Sequence, residues 1–515
     1  MTGGGLLALI AYGSQNVLLS GNPQMTYFYK AFRRYSHFSQ ENVTIPLEGP
    51  NELFFDQPIR LRAKIQRVAD LLSDMYFSFR LPDIFSKYLT PTSHRAAQFQ
   101  FEWVRYVGAA VIQNAAFFVG GQKIQEFDGA YLMARALADY DADTYEKWRI
   151  LVGDIPDLTD PSKSLFAGGT NITGYPSVFR DPSTATQTNR PSIFGQNIHV
   201  PLGFWFSEAS SQALPLVGLQ YHECEVQITL NPIQQLYTFL DVSGYRVAPN
   251  YRMNAATSDI RMNIPQYGQT TDVSGQIKYF LTDWDVSTPP MNSWFLNARL
   301  QTTYVYLPAE EQKLFATTPL SYIMQQITPY AFQGIYNRQI LDLETHNPIT
   351  RLMFLTRRSD AAARNDFANL TNWWNFPYPP HNPTPGQTDM NTRGFSTGRL
   401  VPQGQMSCIR ALRVLADGNE IQEEKSIDFF TKINPWKYVS GQPKTLIPIY
   451  SFALHSPGTQ PSGSINASRI RNFQVEVDVY PLPAGTTYTY DMTIYVENIN
   501  FFEVASGMGG LKYAL

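Results

Sequence analysis

Cysteine is nearly absent from this sequence: Cys224 and Cys408 are the two in 515 residues. Disulfide-built secreted proteins of this length carry more, so the composition excludes a disulfide scaffold and points to a reducing compartment. Charge is scarce as well. Lys, Arg, Asp and Glu make up 16% of the chain, below the usual quarter, and the formal net charge is −3. No basic field exists to hold nucleic acid by counterion release, so direct nucleic-acid binding is not expected. Membrane-spanning runs are missing too. The opening "MTGGGLLALIAYGSQ" has a six-residue apolar run, Leu6–Ala11, with no basic segment before it. That is too short for a membrane span or a signal-peptide core. Thr2 follows Met1, so myristoylation is not indicated. Leu6, Leu7, Leu9 and Ile10 read instead as an apolar N-terminal arm, residues 1–25, suited to docking on a partner or touching a membrane surface.

Catalytic and metal signatures are also lacking. The histidines at 37, 94, 199, 222, 346, 381 and 455 are scattered, and none pairs with another at helical ligand spacing. The glycines at 3–5 precede no Lys-Ser/Thr, and no G-x-S-x-G elbow occurs. The densest reactive cluster is His222-Glu223-Cys224 within "LQYHECEVQITL". There, apolar Cys224, Val226, Ile228 and Leu230 alternate with polar Glu223, Glu225, Gln227 and Thr229, the period of a half-buried strand. A strand sends neighbouring side chains to opposite faces, so the three groups do not converge on one atom. The reading is a packed strand with a buried thiol, no catalytic or metal site, no cofactor and no enzyme.

What the chain does have is aromatics and strands. Aromatics reach 14%, with 33 Phe and 30 Tyr, which suits burial against other copies of the chain and equally suits a large sandwich core. The length implies two or three domains. Period-two alternation recurs at 59–66, 75–81, 473–480 and 492–496, joined by Pro- and Gly-rich loops, the pattern of an all-β antiparallel fold. Short helices are predicted after Asp128, over "DADTYEKWRIL", and from Pro308, with Glu310 and Glu311 in the first turn. They are inserts on a β scaffold. Long polar loops cover 155–197 and 371–389. Trp373 and Trp374 in the second loop suit an anchor on another chain, and a loop folded back on its own sandwich fits equally. Four sequons fall at Asn42, Asn171, Asn369 and Asn466, of which Asn171 and Asn369 lie in or beside the long loops and are the better glycosylation candidates. Without a signal peptide, secretory glycosylation is not expected.

One motif occurs twice. "VGGQKIQEF" at 119–127 matches "ADGNEIQEE" at 416–424 in Gly-x-x-Ile-Gln-Glu, each after an apolar run. The echo suggests tandem copies of one sandwich, 26–240 and 293–515, joined by a connecting segment at 241–292.

Four long blocks carry a family resemblance. They are "GGGLLALIAYGSQNVLLSGNPQMTYFYKAFRRYSHFS" (3–39), "VPLGFWFSEASSQALPLVGLQYHECEVQITL" (200–230), "YVYLPAEEQKLFATTPLSYIMQQI" (304–327) and "IYSFALHSPGTQPSGSINASRIRNFQVEVDV" (449–479). In order and content they resemble the major capsid proteins of nucleocytoplasmic large DNA viruses. The resemblance implies two tandem eight-stranded antiparallel jelly-roll sandwiches with a few short helical inserts and long loops. It also implies a homotrimer shaped like a hexagonal prism, tiled with neighbouring capsomers into an icosahedral shell over an internal membrane. Minor capsid proteins would lie on the inner face near the arm, and assembly would take place in the host cytoplasm at viral factories. The helices of 128–151, the 155–197 loop and the Trp373-Trp374 loop are the expected fasteners between sandwiches. The alternatives are a minor capsid or scaffold protein of the same fold, and a carbohydrate-binding β-sandwich marked by an acidic pair in an aromatic groove.

Overall fold

The computed structural model describes residues 3–10, 13–14, 17–30, 32–86, 100–163, 175–176, 191–240, 246–249, 277–281, 292–373, 406–441, 447–456, 460–482 and 488–513. Sixteen strands build two sandwiches. The first contains β1 (Ser39–Pro46), β2 (Ile59–Ile65), β3 (Leu71–Arg80), β4 (Ile112–Val119), β5 (Gln122–Phe127), β6 (Asn197–Pro201), β7 (Cys224–Leu230) and β8 (Arg299–Tyr306). The second contains β9 (Leu320–Ile335), β10 (Gln339–Leu343), β11 (Pro348–Arg358), β12 (Ile409–Ala416), β13 (Asn419–Ser426), β14 (Ile449–Ser451), β15 (Phe473–Val479) and β16 (Tyr490–Ala505).

The first sandwich pairs its strands as β1-β8-β3-β6 and β2-β7-β4-β5. The second pairs as β9-β16-β11-β14 and β10-β15-β12-β13. Adding eight to every label converts one pattern into the other. Each is a jelly roll, with two four-stranded main sheets face to face. Alternation makes the cores: in β2, Ile59, Leu61, Ala63 and Ile65 are buried while Arg60, Arg62 and Lys64 are exposed. Leu352, Phe354, Val475, Val477, Met492 and Ile494 fill the second core. Burying one such side chain contributes about 1.5–3 kcal/mol, so a stray polar residue at these positions is costly.

The repeated motif marks the same hairpin in both rolls. Gly120 and Gly121 join β4 to β5 at φ 57° and 83°, and Asp417 and Gly418 join β12 to β13 at φ 49° and 79°. Two successive positive φ values define the tight hairpin turn whose twist matches its strands, which is why Gly and Asp-Gly stand there. The neighbouring strand also docks identically. Gly120 N donates to Glu223 O and Asp417 N to Asn472 O, each at 2.9 Å.

The expected domain boundaries need correction. After the 241–292 segment the chain returns to the first roll, where β8 lies between β1 and β3, with Leu300 opposite Phe77 and Thr302 opposite Met75. Without β8 those two strands would each present a row of unpaired backbone groups. The segment 241–292 is thus a connection inside the first roll, which ends at Tyr306 rather than before residue 293. The link between rolls is 307–319.

Three of the helices are α1 (Gly129–Asp139), α2 (Ala142–Leu151) and α3 (Ala309–Thr317), the last lying in that link. Asp128 caps α1, its carboxylate accepting from Tyr131 N at 2.7 Å, and Asp141 caps α2 by accepting from Thr144 N at 2.8 Å.

Residues Met1–Ser39 form a unit of their own, so the arm extends beyond the expected residue 25. It carries short helices at Gly3–Ile10 and Val17–Ser20. Leu6, Leu7, Leu18, Leu19, Phe28 and Phe32 are exposed along it. The side chains of Leu9 and Ile10 lie outside the described residues.

Candidate functional site

The reactive cluster of the sequence is structural. Cys224 opens β7, paired with Ile65 on one side and Val119 on the other. Phe473 holds the same place in the second roll, paired with Leu343 and Ala416. Cys224 is 4% exposed, and burial pushes its thiol up to about 12. A thiol held protonated this firmly is a poor nucleophile and metal ligand. Glu223 leaves the opposite way and pairs with Lys64 at 3.2 Å. The Nδ1 of His222 sits 2.9 Å from the Gly509 carbonyl oxygen, tying β7 to the C-terminal strand Met508–Leu511. Among the described residues, no three His, Cys, Asp or Glu side chains are grouped to hold a metal ion. Cys224→Ser is therefore expected to cost about 1–3 kcal/mol in chemical denaturation, because it leaves a hydroxyl unpaired in an apolar pocket.

The most concentrated polar chemistry lies where the two rolls meet. The outward face of the β9-β16-β11-β14 sheet presents Arg351 beside Glu497 and Met353 beside Tyr495 on paired strands. Helix α1 and strand β5 of the first roll cover that face. Arg351 is 0% exposed. Its Nη1 and Nη2 donate to Asp139 at 2.6 and 2.7 Å, and its Nε and Nη2 donate to Glu497 at 2.6 and 2.7 Å. The Tyr131 hydroxyl donates to Glu497 at 2.9 Å, and the Tyr495 hydroxyl donates to Asp128 at 2.8 Å. Burial alone would lower the Arg351 pKa, and the two carboxylates more than offset it and hold it above its ordinary value. Asp128 is pushed up by burial, against the hydrogen bonds from Tyr131 N and Tyr495 that pull it down.

Around this ionic centre aromatic and amide side chains of the two rolls interlock. Trp205 packs on Tyr322 and Phe502 at ring separations of 5.4 and 5.3 Å. Gln125 donates to Gln325 O, and Gln326 donates back to Ile124 O, both at 3.0 Å. Ser440 Oγ donates to Asp139 O at 2.9 Å. Fully satisfied bidentate pairs of this kind fix orientation more than they add stability. Chemically, the arrangement clamps two rolls in one register.

A small cleft opens at the same joint, lined by Gln125, Tyr131, Arg135, Trp205, Glu208 and Gln212 among others. Its carboxylate, Glu208, is already ion-paired with Arg135. The groove therefore offers no free acidic pair of the kind the carbohydrate alternative requires.

Sequence reasoning missed Arg351, Asp139 and Glu497. A signal existed: Arg351 and Glu497 are charges inside the long apolar runs "PITRLMFL" and "TIYVENINF", where alternation alone would place an apolar or uncharged residue. Of the expected fasteners, α1 joins the two rolls of one chain. Most of the 155–197 loop, with Asn171, lies outside the described residues, as does Trp374. Trp373 is half-buried beside the sequon, its carbonyl oxygen accepting from Asn369 Nδ2 at 2.8 Å. Asn369 needs correction as a glycosylation candidate. It is 2% exposed, and its Nδ2 also donates to Asp366 at 2.7 Å, so the amide a glycan would need is enclosed in the folded chain. Asn42 and Asn466 are exposed.

Comparison with known proteins agrees with this architecture. The family model described as "Major capsid protein N-terminus" matches residues 26–267. The one described as "Large eukaryotic DNA virus major capsid protein" matches residues 311–510. The chain is 24% identical to the major capsid protein of Paramecium bursaria Chlorella virus 1 over 99% of both chains. It is 21% identical to that of Phaeocystis pouchetii virus, again over 99% of both. Among solved structures it superposes on the PBCV-1 VP54 chain with a TM-score of 0.66 at 19% identity, covering 95% of this chain and 100% of that one. The Faustovirus major capsid protein gives 0.63 at 14% identity, covering 98% and 97%.

Proposed function

Because the chain belongs to the large eukaryotic DNA virus major capsid protein family, we propose that it acts as a homotrimer, a six-sided capsomer in which each chain supplies two adjacent sides. It is a non-enzymatic structural protein of the virion, a subunit of the icosahedral capsid. The trimer reading rests on one observation above the others: two rolls with the same strand order, fixed to each other by the buried Arg351 clamp. Three such rigid pairs make six similar walls, and six similar walls tile a surface with near-equivalent contacts. The near-neutral chain limits repulsion among the many copies of a shell.

In the assembled particle the arm faces inward, toward minor capsid proteins and an internal membrane, with its exposed leucines as the apolar contact. Neighbouring capsomers meet the outer flanks, and the chain makes no direct contact with nucleic acid. The Trp373-Trp374 loop is an anchor between chains. Asn42 and Asn466, which are exposed, and Asn171, which lies outside the described residues, are the remaining candidates for glycans. Assembly takes place in the host cytoplasm at viral factories.

Light scattering on the purified chain tests the trimer. The expected mass is three times the 58.4 kDa chain, stable to dilution. A monomer that persists at high concentration would contradict it. Copy number in purified particles separates a major shell subunit from a minor component of the same fold.

A further inference from the structure

Each main sheet ends in two edge strands, and seven of these eight edges are short or charged. β1, β2, β5, β10 and β13 carry charges such as Glu41, Arg62, Lys123, Asp342 and Glu424, while β6 and β14 are five and three residues long. Such features keep an edge from pairing with another chain. β9 is the exception. Within its sheet it pairs with β16 alone, and its sixteen residues include no charge. The free edge of β9 is capped over one stretch. Gln212 Nε2 donates to Ile323 O at 3.1 Å, and Gln125 Nε2 donates to Gln325 O at 3.0 Å. In an antiparallel ladder alternate residues turn their backbone groups to the same side. The register with β16 is unbroken from Leu320 to Phe332, so Ile327, Pro329 and Ala331 continue the outward row. Among the described residues nothing hydrogen-bonds that part of the row, and Pro329 and Ala331 are exposed. Proline has no N–H, so the three residues offer carbonyls throughout and donors at Ile327 and Ala331.

The row runs into the cleft between the rolls, whose walls include Ile323, Gln325, Ile327, Trp205 and Gln212. Trp205 is 2% exposed, and its Nε1 and the Gln212 Oε1 are buried without a hydrogen-bond partner. One enclosed donor and one enclosed acceptor at a single cleft are the complement of a peptide group. The chain carries a free segment of a fitting kind. Residues 32–38 of the arm, "FRRYSHF", have neither helix nor strand, and Phe32 and Tyr35 are each 87% exposed. Aromatic side chains favour the extended, half-buried setting of a strand. Arg33 and Arg34 match Glu344, an exposed acid whose backbone carbonyl accepts from the Tyr330 hydroxyl of β9.

We propose that residues 32–38 of one copy add as a further strand to the free edge of β9 in a second copy, from Ile327 to Ala331, with the end of the added strand seated in the cleft at Trp205 and Gln212. Strand addition draws its affinity from main-chain hydrogen bonds along the edge and its selectivity from side-chain contacts beside it. The proposal rests on the capsid reading for the presence of a second copy. It makes this part of the arm a tether between copies and leaves residues 2–20 to inner partners.

The test uses the purified full-length chain, both as the trimer and in purified particles. Arg33→Cys, Tyr35→Cys and His37→Cys are each combined with Ala331→Cys and oxidised mildly. All four positions are exposed, so the circular dichroism of the folded chain is expected to be unchanged. At least one pair is expected to give covalent multiples of 58.4 kDa on a non-reducing denaturing gel, and the single variants none, since Cys224 and Cys408 are 4% and 2% exposed. In a pair that links, Glu344→Arg is expected to lower the linked fraction about threefold, and Arg34→Glu in the same chain to restore it. That rescue separates docking of the arm from random collision. Linkage confined to single chains, or absent from trimer and particle alike, would overturn the proposal and leave the capsomer reading intact. A wild-type chain that stays monomeric would overturn both.

Discussion

Replacing Arg351 by Met is expected to destabilise the chain by about 3–5 kcal/mol, measured by chemical denaturation at neutral pH. The guanidinium is fully enclosed and makes four hydrogen bonds to two carboxylates on different rolls. Its removal leaves Asp139 and Glu497 buried without a cation, and methionine fills volume but supplies no donor. Neutralising the two acids separates this cause from simple loss of packing: Asp139→Asn with Glu497→Gln in the same background should recover part of the deficit at neutral pH. A deficit that this pair of changes leaves unaltered, or one below about 1 kcal/mol, would mean that the two rolls are held by their apolar contacts alone.

Deleting residues 2–20 is expected to leave a soluble, folded trimer that no longer forms closed shells. The first sandwich starts at β1, and Met1–Ser39 is a unit by itself, so no core strand is lost. What the deletion removes is a series of outward apolar side chains, including Leu6, Leu7, Leu18 and Leu19. Such residues have no role in a free subunit and a large one against an inner partner or membrane. Assembly in infected or co-expressing cells, read by particle yield at constant trimer level, distinguishes the outcomes. An unfolded deletion product would make the arm a structural element, and normal shells would leave it without a role in assembly.

Much of the fold was legible in the sequence because alternation is a local signal. The strands at Ile59–Ile65, Cys224–Leu230 and Phe473–Val479 follow it closely. The hairpin echo was legible because a two-residue turn with positive φ restricts its letters. Strand ownership was not legible. Residues 299–306 alternate as any strand does, and nothing local reveals that they pair with β1 and β3 across more than two hundred residues rather than opening the next roll. The sixteen-residue lengths of β9 and β16 were also hidden, since their outward faces are buried against the first roll for part of their course and wet elsewhere, which breaks the period. The short helix Val107–Val111 is buried on every side and so has no polar face to mark it. The clamp was hidden for a related reason. Asp139, Arg351 and Glu497 are far apart in sequence, and each looks like a surface charge until the two rolls are placed together.

Negative-stain imaging of the purified chain tests the central claim most directly. If one chain carries two equivalent walls of a capsomer, class averages will show six-sided particles with three-fold symmetry, at the mass of a trimer. Fields of single chains with no six-sided class, at concentrations where a stable trimer must form, would contradict it.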